Sequence, residues 1–366
     1  MKSPRNRASS RAVVVGGGLI GLCCANALSR RGWAVTIVAE RQPGEASLAA
    51  GGILGPSVES AVGWTHAFGV KARDRYPELI DDLKDRTGIH VSLLRNGILE
   101  VALTAEEAAR LEREAPIGSQ WLTPESLRDM EPALGHASGA LYHPGDGAVD
   151  NVLLLSALNR ALAVDPSVEF ADVKAMELLT RAGTASIGIR TRHGLHEGDV
   201  VVLAAGSWTP LLAGLPRKIP VTPVRGQMLA LGAHPLTHVA YGPRGYIVPR
   251  GENSVAGSTM ELSGFDVATT EEGTSAIAAA ALSLCPPLRV APEVARWCGL
   301  RPMTPDLLPI IGRDPAHASL LYACGHSRNG ILLAPITGEI IASLADGEAA
   351  QPDVLPFSIE RFRGKC

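Results

Sequence analysis

Two arginines stand in apolar segments bounded by glycine and proline, where a charged side chain is costly unless it is paired. Arg301 lies in the run Gly299-Leu300-Arg301-Pro302, and Arg328 lies between Gly325 and Gly330. A planar guanidinium matches a carboxylate through two parallel, charge-assisted hydrogen bonds. Either arginine alone is more often a solvated surface residue. Together they predict a site that binds a carboxylate.

Tyr246 is a third residue that could act at such a site. It opens the run 245–250, which with the run 254–260 predicts a β-hairpin across residues 251–253. Cross-strand packing explains a tyrosine at this position as well as a functional role does. The residues alone leave both roles open.

Residues 12–40 predict the element that positions these side chains. A β-branched run leads into Gly16-x-Gly18-x-x-Gly21, a helical run follows, and a second β-branched run ends at Glu40. In such a unit the first glycine permits a tight turn, the second lets a pyrophosphate approach the backbone, and the third lets the helix pack closely. The helix N-terminus then offers free N–H groups to the phosphates, and the acid can accept hydrogen bonds from a ribose. This pattern predicts a dinucleotide site.

Two further segments predict backbone close to a flat ligand. Ala50, Gly51, Gly52 and Ile53 form a row of small residues that follows the loop 41–47. The apolar run 199–205 reads as a buried parallel strand that returns to the nucleotide-binding sheet and ends at Gly206.

The fingerprint, the strand-end acid, the stretch 47–56 and the stretch 296–344 resemble the FAD-dependent amino acid oxidase family, which includes the D-amino acid oxidases and, most similar, the glycine oxidases. The fold class expected is α/β, with a Rossmann-like FAD-binding domain of the glutathione-reductase-like type. It is interleaved with an α+β substrate domain built on an antiparallel sheet. Residues 1–85, 146–222 and 291–348 are assigned to the first domain, 86–145 and 223–290 to the second, and 349–366 to a C-terminal tail.

The resemblance implies roles for individual residues. Tyr246, Arg301 and Arg328 are the expected catalytic residues, with the Tyr246 hydroxyl on the substrate carboxylate, and Met260 is an expected apolar wall of the substrate pocket. The expected cofactor-binding residues are Gly16, Gly18, Leu19, Ile20, Gly21, Glu40, Arg41, Ser47, Ala50, Gly51, Gly52, Ile53, Val173, Ala205, Gly206, Trp208, Arg328, Asn329, Gly330, Ile331 and Leu332. Related sarcosine oxidases hold the flavin covalently through a cysteine, but Gly299 falls at that position and Cys298 is one residue away. The expected cofactor is therefore FAD, bound non-covalently.

The resemblance also implies a reaction. A hydride leaves the α-carbon of a small amino acid or secondary amine for flavin N5, and oxygen reoxidises the flavin to give hydrogen peroxide. Glycine, sarcosine and small D-amino acids are the expected substrates. Two alternatives stay open: a quinone-linked D-amino acid dehydrogenase, which the stretch 301–306 resembles equally, and a non-catalytic FAD-binding subunit.

Composition bears on the possible partners, metals and location of the protein. The formal net charge of -3 predicts no nucleic-acid partner, although Lys2, Arg5, Arg7 and Arg11 make the N-terminal arm basic. We expect no membrane span, no metal site and, from six unpatterned cysteines, reduced thiols in the cytoplasm. A homo-oligomer is compatible with the sequence.

Residues 66–86 predict one amphipathic helix.

Overall fold

The computed structural model describes residues 10–59, 63–180 and 187–363. Lys2, Arg5, Arg7 and Cys366 lie outside these residues. The strands are β1 (Arg11–Val15), β2 (Ala34–Ala39), β3 (Ile53–Leu54), β4 (Leu93–Leu94), β5 (Ile98–Ala102), β6 (Gln120–Leu122), β7 (Gly139–His143), β8 (Gly147–Val149), β9 (Val168–Asp172), β10 (Glu177–Thr180), β11 (Ile187–Thr191), β12 (Gly194–Gly198), β13 (Val200–Leu203), β14 (Thr222–Leu231), β15 (Val239–Gly242), β16 (Gly245–Arg250), β17 (Asn253–Gly257), β18 (Glu293–Met303), β19 (Ile310–Arg313) and β20 (Leu320–Cys324).

The helices are α1 (Leu19–Arg30), α2 (Ala46–Ala49), α3 (Pro56–Glu59), α4 (Gly63–Arg73), α5 (Tyr76–Thr87), α6 (Ala105–Arg113), α7 (Pro124–Met130), α8 (Asn151–Ala163), α9 (Glu271–Leu284) and α10 (Gly330–Ala345). Short 3₁₀ helices lie at Pro132–Leu134, Gly206–Leu211, Pro286–Val290, Leu355–Phe357 and Ile359–Phe362.

A six-stranded sheet in the order β19-β20-β13-β1-β2-β9 carries the predicted nucleotide-binding unit. The strands from β20 to β9 run parallel, and β19 pairs antiparallel with β20 at one edge. The strand β13 (Val200–Leu203) is buried throughout, as expected for a central parallel strand with both faces covered. The parallel order brings the carboxyl ends of β1, β2 and β13 to one edge of the sheet.

The helices α1 and α10 pack closely on one face of this sheet. A Cβ atom added at Gly338 of α10 would lie 2.5 Å from the carbonyl oxygen of Cys23 in α1, so glycine is needed for this approach. Leu22, Leu28 and Ile341 are fully buried there. The contact fixes both helices relative to the sheet edge at which they begin.

An eight-stranded sheet in the order β18-β14-β17-β16-β15-β5-β7-β6 forms the second large layer. Its pairs are antiparallel except for β15 with β5. Two three-stranded sheets, β10-β11-β12 and β3-β8-β4, complete the fold. This architecture confirms the predicted α/β fold with a Rossmann-like part and an antiparallel part.

One local expectation differs from the structure. The helix predicted over residues 66–86 is two helices, α4 and α5, separated at Asp74 and Arg75. Pro77 stands in the first turn of α5, where its missing N–H costs nothing, and a proline there starts a new helix rather than continuing one. The boundary at residue 291 precedes β18, which pairs with β14 along its length and so lies in the larger sheet. The assignment of domain boundaries stays a prediction.

Among the described residues, no helix combines the length and apolar character that crossing a bilayer requires.

Candidate active site

A long cavity joins the edge of the six-stranded sheet to one face of the eight-stranded sheet. The volume of this cavity is about 290 Å³. Its lining includes most of the predicted site residues: Gly16, Gly18, Ile20, Glu40, Ser47, Ala50, Gly51, Gly52, Ile53, Ala205, Gly206, Trp208, Tyr246, Arg301, Arg328, Asn329, Gly330, Ile331 and Leu332. The fold therefore brings both predicted sites, for a dinucleotide and for a carboxylate, into one space.

The glycine fingerprint forms one end of the cavity. Gly16 has a φ of 116°, and a Cβ there would strike the carbonyl of Ala204 at the end of β13. A Cβ at Gly21 would strike the carbonyl of Gly16, so this glycine lets α1 begin directly beside the turn. A glycine-walled turn at a helix N-terminus fits the diphosphate of a dinucleotide, because backbone N–H groups and the positive end of the helix dipole face it.

Polar groups complete the nucleotide end. The backbone N–H of Leu19 donates to the Ser47 hydroxyl at 3.0 Å, which ties α1 to the loop before Ala50. Glu40 lines the cavity at the end of β2, and the Gln42 amide donates to its carboxylate at 3.3 Å. A carboxylate at this position suits a ribose, whose hydroxyls donate hydrogen bonds.

The loop of residues 49–53 crosses the middle of the cavity and is held from the larger sheet. The Trp297 indole donates to the Ala49 carbonyl at 3.0 Å, and the Arg250 guanidinium donates to the Gly51 carbonyl at 2.8 Å. A Cβ at Gly51 would lie 2.8 Å from the Tyr246 ring, so the ring lies directly against this glycine. The small residues of the loop thus admit both a ligand and the tyrosine.

Contacts with β14 and with the residues after β17 position Arg301 at the other end. It lies on β18 opposite Val224 of β14, and its guanidinium fills the space that a side chain at Gly226 would need. Its Nη1 donates to the Thr259 carbonyl at 3.0 Å, and its Nη2 donates to the Ser258 hydroxyl at 2.6 Å. A guanidinium fixed in this way presents its planar fork in a defined orientation, as carboxylate binding requires.

Tyr241 connects Tyr246 with Arg328, because it stacks on the first and accepts a hydrogen bond from the second. The rings of Tyr241 and Tyr246 lie 5.8 Å apart with an interplanar angle of 25°. Arg328 donates to the Tyr241 hydroxyl at 2.6 Å from the turn before α10. The turn is tight, because Ser327 has a φ of 50°. Tyr246, Arg301 and Arg328 therefore lie in one cavity, although two different strands and the turn before α10 supply them.

His326 stands beneath this turn. Its Nε2 lies 3.1 Å from the Thr337 hydroxyl of α10, and the side chain is fully enclosed. Burial lowers the pKa of His326 to about 3, because the charged imidazolium would lose its hydration. A neutral imidazole therefore braces the first turns of α10, whose N-terminal residues line the cavity.

Five predicted site residues lie outside the cavity lining: Leu19, Gly21, Arg41, Val173 and Met260. Leu19 and Gly21 make the contacts described above. Arg41 is ion-paired with Glu45 at 2.6 Å, and its side chain is 60% exposed. Val173 is buried, and the next residues, Lys174 and Ala175, line the cavity instead. Met260 lies beyond the end of β17 and is 52% exposed. Their roles toward a ligand stay predictions.

Arg250 and Met228 also belong to the site region, and neither is predicted from the sequence. Arg250 and Tyr246 are four residues apart on β16, so both side chains point to the same face of the strand. This period of two is the feature of the sequence that could have identified Arg250. Met228 lines the cavity from β14. Its position depends on pairing between distant strands, so no local signal marks it.

The described residues contain no group of three or more His, Cys, Asp or Glu side chains that could hold a metal ion. Cys298 lies on the face of β18 opposite to Gly299 and Arg301, and its thiol donates to the Val267 carbonyl at 2.8 Å. Burial raises the pKa of the Cys298 thiol.

Known proteins resemble this chain over most of its length. The family model described as FAD dependent oxidoreductase (DAO) matches residues 11–344. Glycine oxidase of Geobacillus kaustophilus is 34% identical over 367 residues, which cover 96% of this chain and 97% of the relative. The bifunctional protein ThiO/ThiG of Trichormus variabilis is 35% identical over 96% of this chain, but the chain spans only 55% of that longer protein.

Solved structures also resemble this chain over most of its length. The crystal structure of glycine oxidase from Geobacillus kaustophilus superposes with a TM-score of 0.89 at 32% identity, covering 96% of this chain and 99% of that one. Iminodiacetate oxidase from Chelativorans sp. BNC1 superposes with a TM-score of 0.85 at 26% identity, covering 95% and 98%. The protein therefore belongs to the FAD dependent oxidoreductase (DAO) family.

Proposed function

We propose that this protein is an FAD-dependent oxidase of small amino acids or secondary amines, with glycine, sarcosine and small D-amino acids as substrates. The observation that carries the proposal is the cavity itself. The glycine turn at Gly16 and Gly18 lines one end, and Tyr246 and Arg301 line the other. A single space of this kind suits a dinucleotide cofactor and a substrate carboxylate together.

The relatives support the same substrate class. The names glycine oxidase and iminodiacetate oxidase describe proteins that act on small amines bearing carboxylates. The ThiO/ThiG relative is nearly twice as long as the matched region. Activities of its additional part are not transferred to this chain.

In the proposed reaction the protein binds the cofactor and the substrate and orients them toward each other. FAD supplies, when bound, the acceptor for the hydride of the substrate α-carbon and the route by which its electrons reach oxygen. Gly16, Gly18, Glu40 and Ser47 would hold its nucleotide part. Arg301 binds the substrate carboxylate, and the Tyr246 hydroxyl assists it.

No protein base is required, because the substrate amine needs only to be neutral and held in the productive orientation. The products are an imine, which water hydrolyses to an oxo acid and an amine or ammonia, and hydrogen peroxide. The N-terminus of α10 at Asn329 and Gly330 favours negative charge in the adjoining cavity.

Oxygen is the proposed electron acceptor, and a membrane quinone chain is the alternative, as in D-amino acid dehydrogenases. The purified protein should be incubated with glycine, sarcosine, D-alanine and D-proline while peroxide and dye reduction are measured separately. Peroxide formed in proportion to substrate consumed supports the oxidase. Dye reduction without peroxide would favour the dehydrogenase instead.

The same experiment addresses a non-catalytic FAD-binding subunit. A flavin spectrum bleached by substrate without oxygen supports an enzyme, whereas a spectrum that no substrate changes would favour the subunit. We also propose a cytoplasmic location, supported by five described cysteines that form no disulfide. Assembly into a homo-oligomer stays a prediction, to be measured by light scattering.

A further inference from the structure

A row of five directly opposed residues crosses the eight-stranded sheet. Trp297 of β18 is paired with Met228 of β14, Met228 with Gly257 of β17, Gly257 with Tyr246 of β16, and Tyr246 with Tyr241 of β15. Opposed residues in antiparallel strands project to the same face of a sheet. Met228 therefore stands on the face that carries Tyr246.

Gly257 brings the two side chains of Met228 and Tyr246 together. A Cβ atom at Gly257 would lie 2.5 Å from the Met228 sulfur and 3.1 Å from the Tyr246 hydroxyl. Because that space has no side chain of its own, the Tyr246 hydroxyl reaches within 3.6 Å of the Met228 Sδ. Met228 is 3% exposed and lines the cavity. The pair forms a continuous wall.

This wall stands close to Arg301. The Arg301 guanidinium occupies the space above Gly226, which lies two residues before Met228 on the same face of β14. Same-face neighbours on a strand are about 6.6 Å apart, and a carboxylate lies about 2.8 Å from the guanidinium that binds it. An amino acid whose carboxylate binds this guanidinium therefore lies beside Met228, which lines the same cavity.

We propose that Met228 determines substrate size by meeting the side chain of an amino acid whose carboxylate Arg301 holds. The inference rests on the proposed function and narrows it to amino acids with no substituent, or a single-carbon substituent, on the α-carbon. A thioether suits this wall, because it is apolar and fills an irregular space. The contacts with Tyr246 and Gly257 restrict its otherwise flexible chain, so a longer substrate side chain meets a fixed obstacle.

The test compares Met228→Ala with Met228→Leu, which keeps the apolar volume. For each variant, kcat/KM is measured for glycine and for D-valine. We expect Met228→Ala to raise the D-valine to glycine ratio at least about 10-fold, since each methylene accommodated in an apolar pocket is worth about 10–200-fold. Met228→Leu should stay within about threefold of the wild-type ratio, as expected for a volume-conserving exchange.

Leu229→Ala is the matched control, because Leu229 is a neighbour on the same strand, equally buried, and faces the opposite side. It should leave the ratio unchanged even if it lowers stability. A Met228→Ala variant that oxidises glycine normally and keeps the wild-type ratio overturns the inference.

A second readout does not depend on turnover. Dissociation constants of acetate and 3-methylbutanoate, which carry no amine to oxidise, are measured by calorimetry on the holoprotein. Met228→Ala should tighten 3-methylbutanoate relative to acetate by about 10-fold, and no change in this ratio overturns the inference. If the wild type oxidises no amino acid, the proposed function fails, and these binding constants decide the role of Met228 by themselves.

Discussion

The guanidinium of Arg250 donates a 2.8 Å hydrogen bond to the carbonyl oxygen of Gly51, and this contact joins the β16–β17 hairpin to the loop inside the cavity. The next glycine, Gly52, has a φ of 80°, and a Cβ there would lie 3.1 Å from the same guanidinium. Burial lowers the pKa of Arg250, and the charge of Asp150 opposes that shift. A partly desolvated charge is thus used to fix the backbone of a glycine-rich loop.

Arg250→Ala should weaken FAD binding about 10- to 100-fold. The reason is that a hydrogen bond to a charged group contributes about 1.5–3 kcal/mol, and its loss frees the loop before the cofactor binds. The dissociation constant of FAD for the apoprotein is the measurement. Arg244→Ala is the control, since Arg244 is exposed beside the same hairpin and should leave the constant unchanged. Equal constants in both variants would show that Arg250 does not organise the loop.

Acid precipitation should release all of the flavin into the supernatant. Cys298 faces away from the cavity, and Gly299 takes the position that faces it. Cys324 does line the cavity, but burial raises the pKa of its thiol to about 12, so the nucleophilic thiolate is scarce. Cys298→Ser and Cys324→Ser should release flavin in the same proportion as the wild type. Yellow colour that remains with the wild-type pellet would demonstrate a covalent bond.

His326 should make the protein less stable as the pH falls. Its folded-state pKa of about 3 lies below the ordinary value of 6.5, so the unfolded chain binds more protons between these values. Stability is therefore fully present above pH 6.5 and declines as the pH falls toward 3. Between pH 7 and pH 5 the loss amounts to about 2 kcal/mol, from about 1.4 kcal/mol per pH unit.

Urea denaturation of the wild type and of His326→Gln at several pH values measures this contribution. Between pH 7 and pH 5, the free energy of unfolding of the variant should fall by about 2 kcal/mol less than that of the wild type. His193→Gln changes an exposed histidine instead and should follow the wild-type curve. Parallel curves for the wild type and His326→Gln would remove His326 as the source of acid sensitivity.

The nucleotide end of the site could be predicted from the sequence, because its parts are contiguous. Gly16, Gly18 and Gly21 enter one turn, and Glu40 ends the next strand, so the spacing along the chain sets their positions. The start of α6 is likewise a local feature, because the Thr104 hydroxyl accepts a hydrogen bond from the N–H of Glu107, three residues later. The break between α4 and α5 was missed because the apolar spacing continues across it, whereas the chain restarts its helix at Pro77.

The substrate end could be predicted only in part. Residue type and apolar context predict Arg301 and Arg328, because both are properties of single segments of the chain. The wall formed by Met228 and Tyr246 depends on the register of β14, β17 and β16. Gly257 stands between the two residues in the sheet, and its lack of a side chain lets them make contact. A one-residue shift of a strand would turn Met228 to the other face. Such register is set by tertiary packing, so the sequence pattern leaves it open.

Arg301→Ala should lower kcat/KM for glycine by about 30-fold to several thousandfold. It removes a charge-assisted pair worth roughly 2–5 kcal/mol when desolvated, at about 1.4 kcal/mol per tenfold change. Flavin content should stay near normal, because the Arg301 guanidinium is held by Ser258 and Thr259 at the substrate end. Arg301→Lys should recover little, since an ammonium lacks the planar fork.

The matched control for Arg301→Ala is Arg296→Ala, on the same strand. Arg296 pairs with Glu271 and Glu293 outside the cavity, so kcat/KM should stay within about twofold of the wild type. Steady-state kinetics with glycine and D-alanine, together with the flavin-to-protein absorbance ratio, separate a loss of substrate binding from a loss of cofactor. Near-normal kcat/KM in Arg301→Ala would make Arg301 structural, and the carboxylate would then be assigned to Arg328, which lines the same cavity.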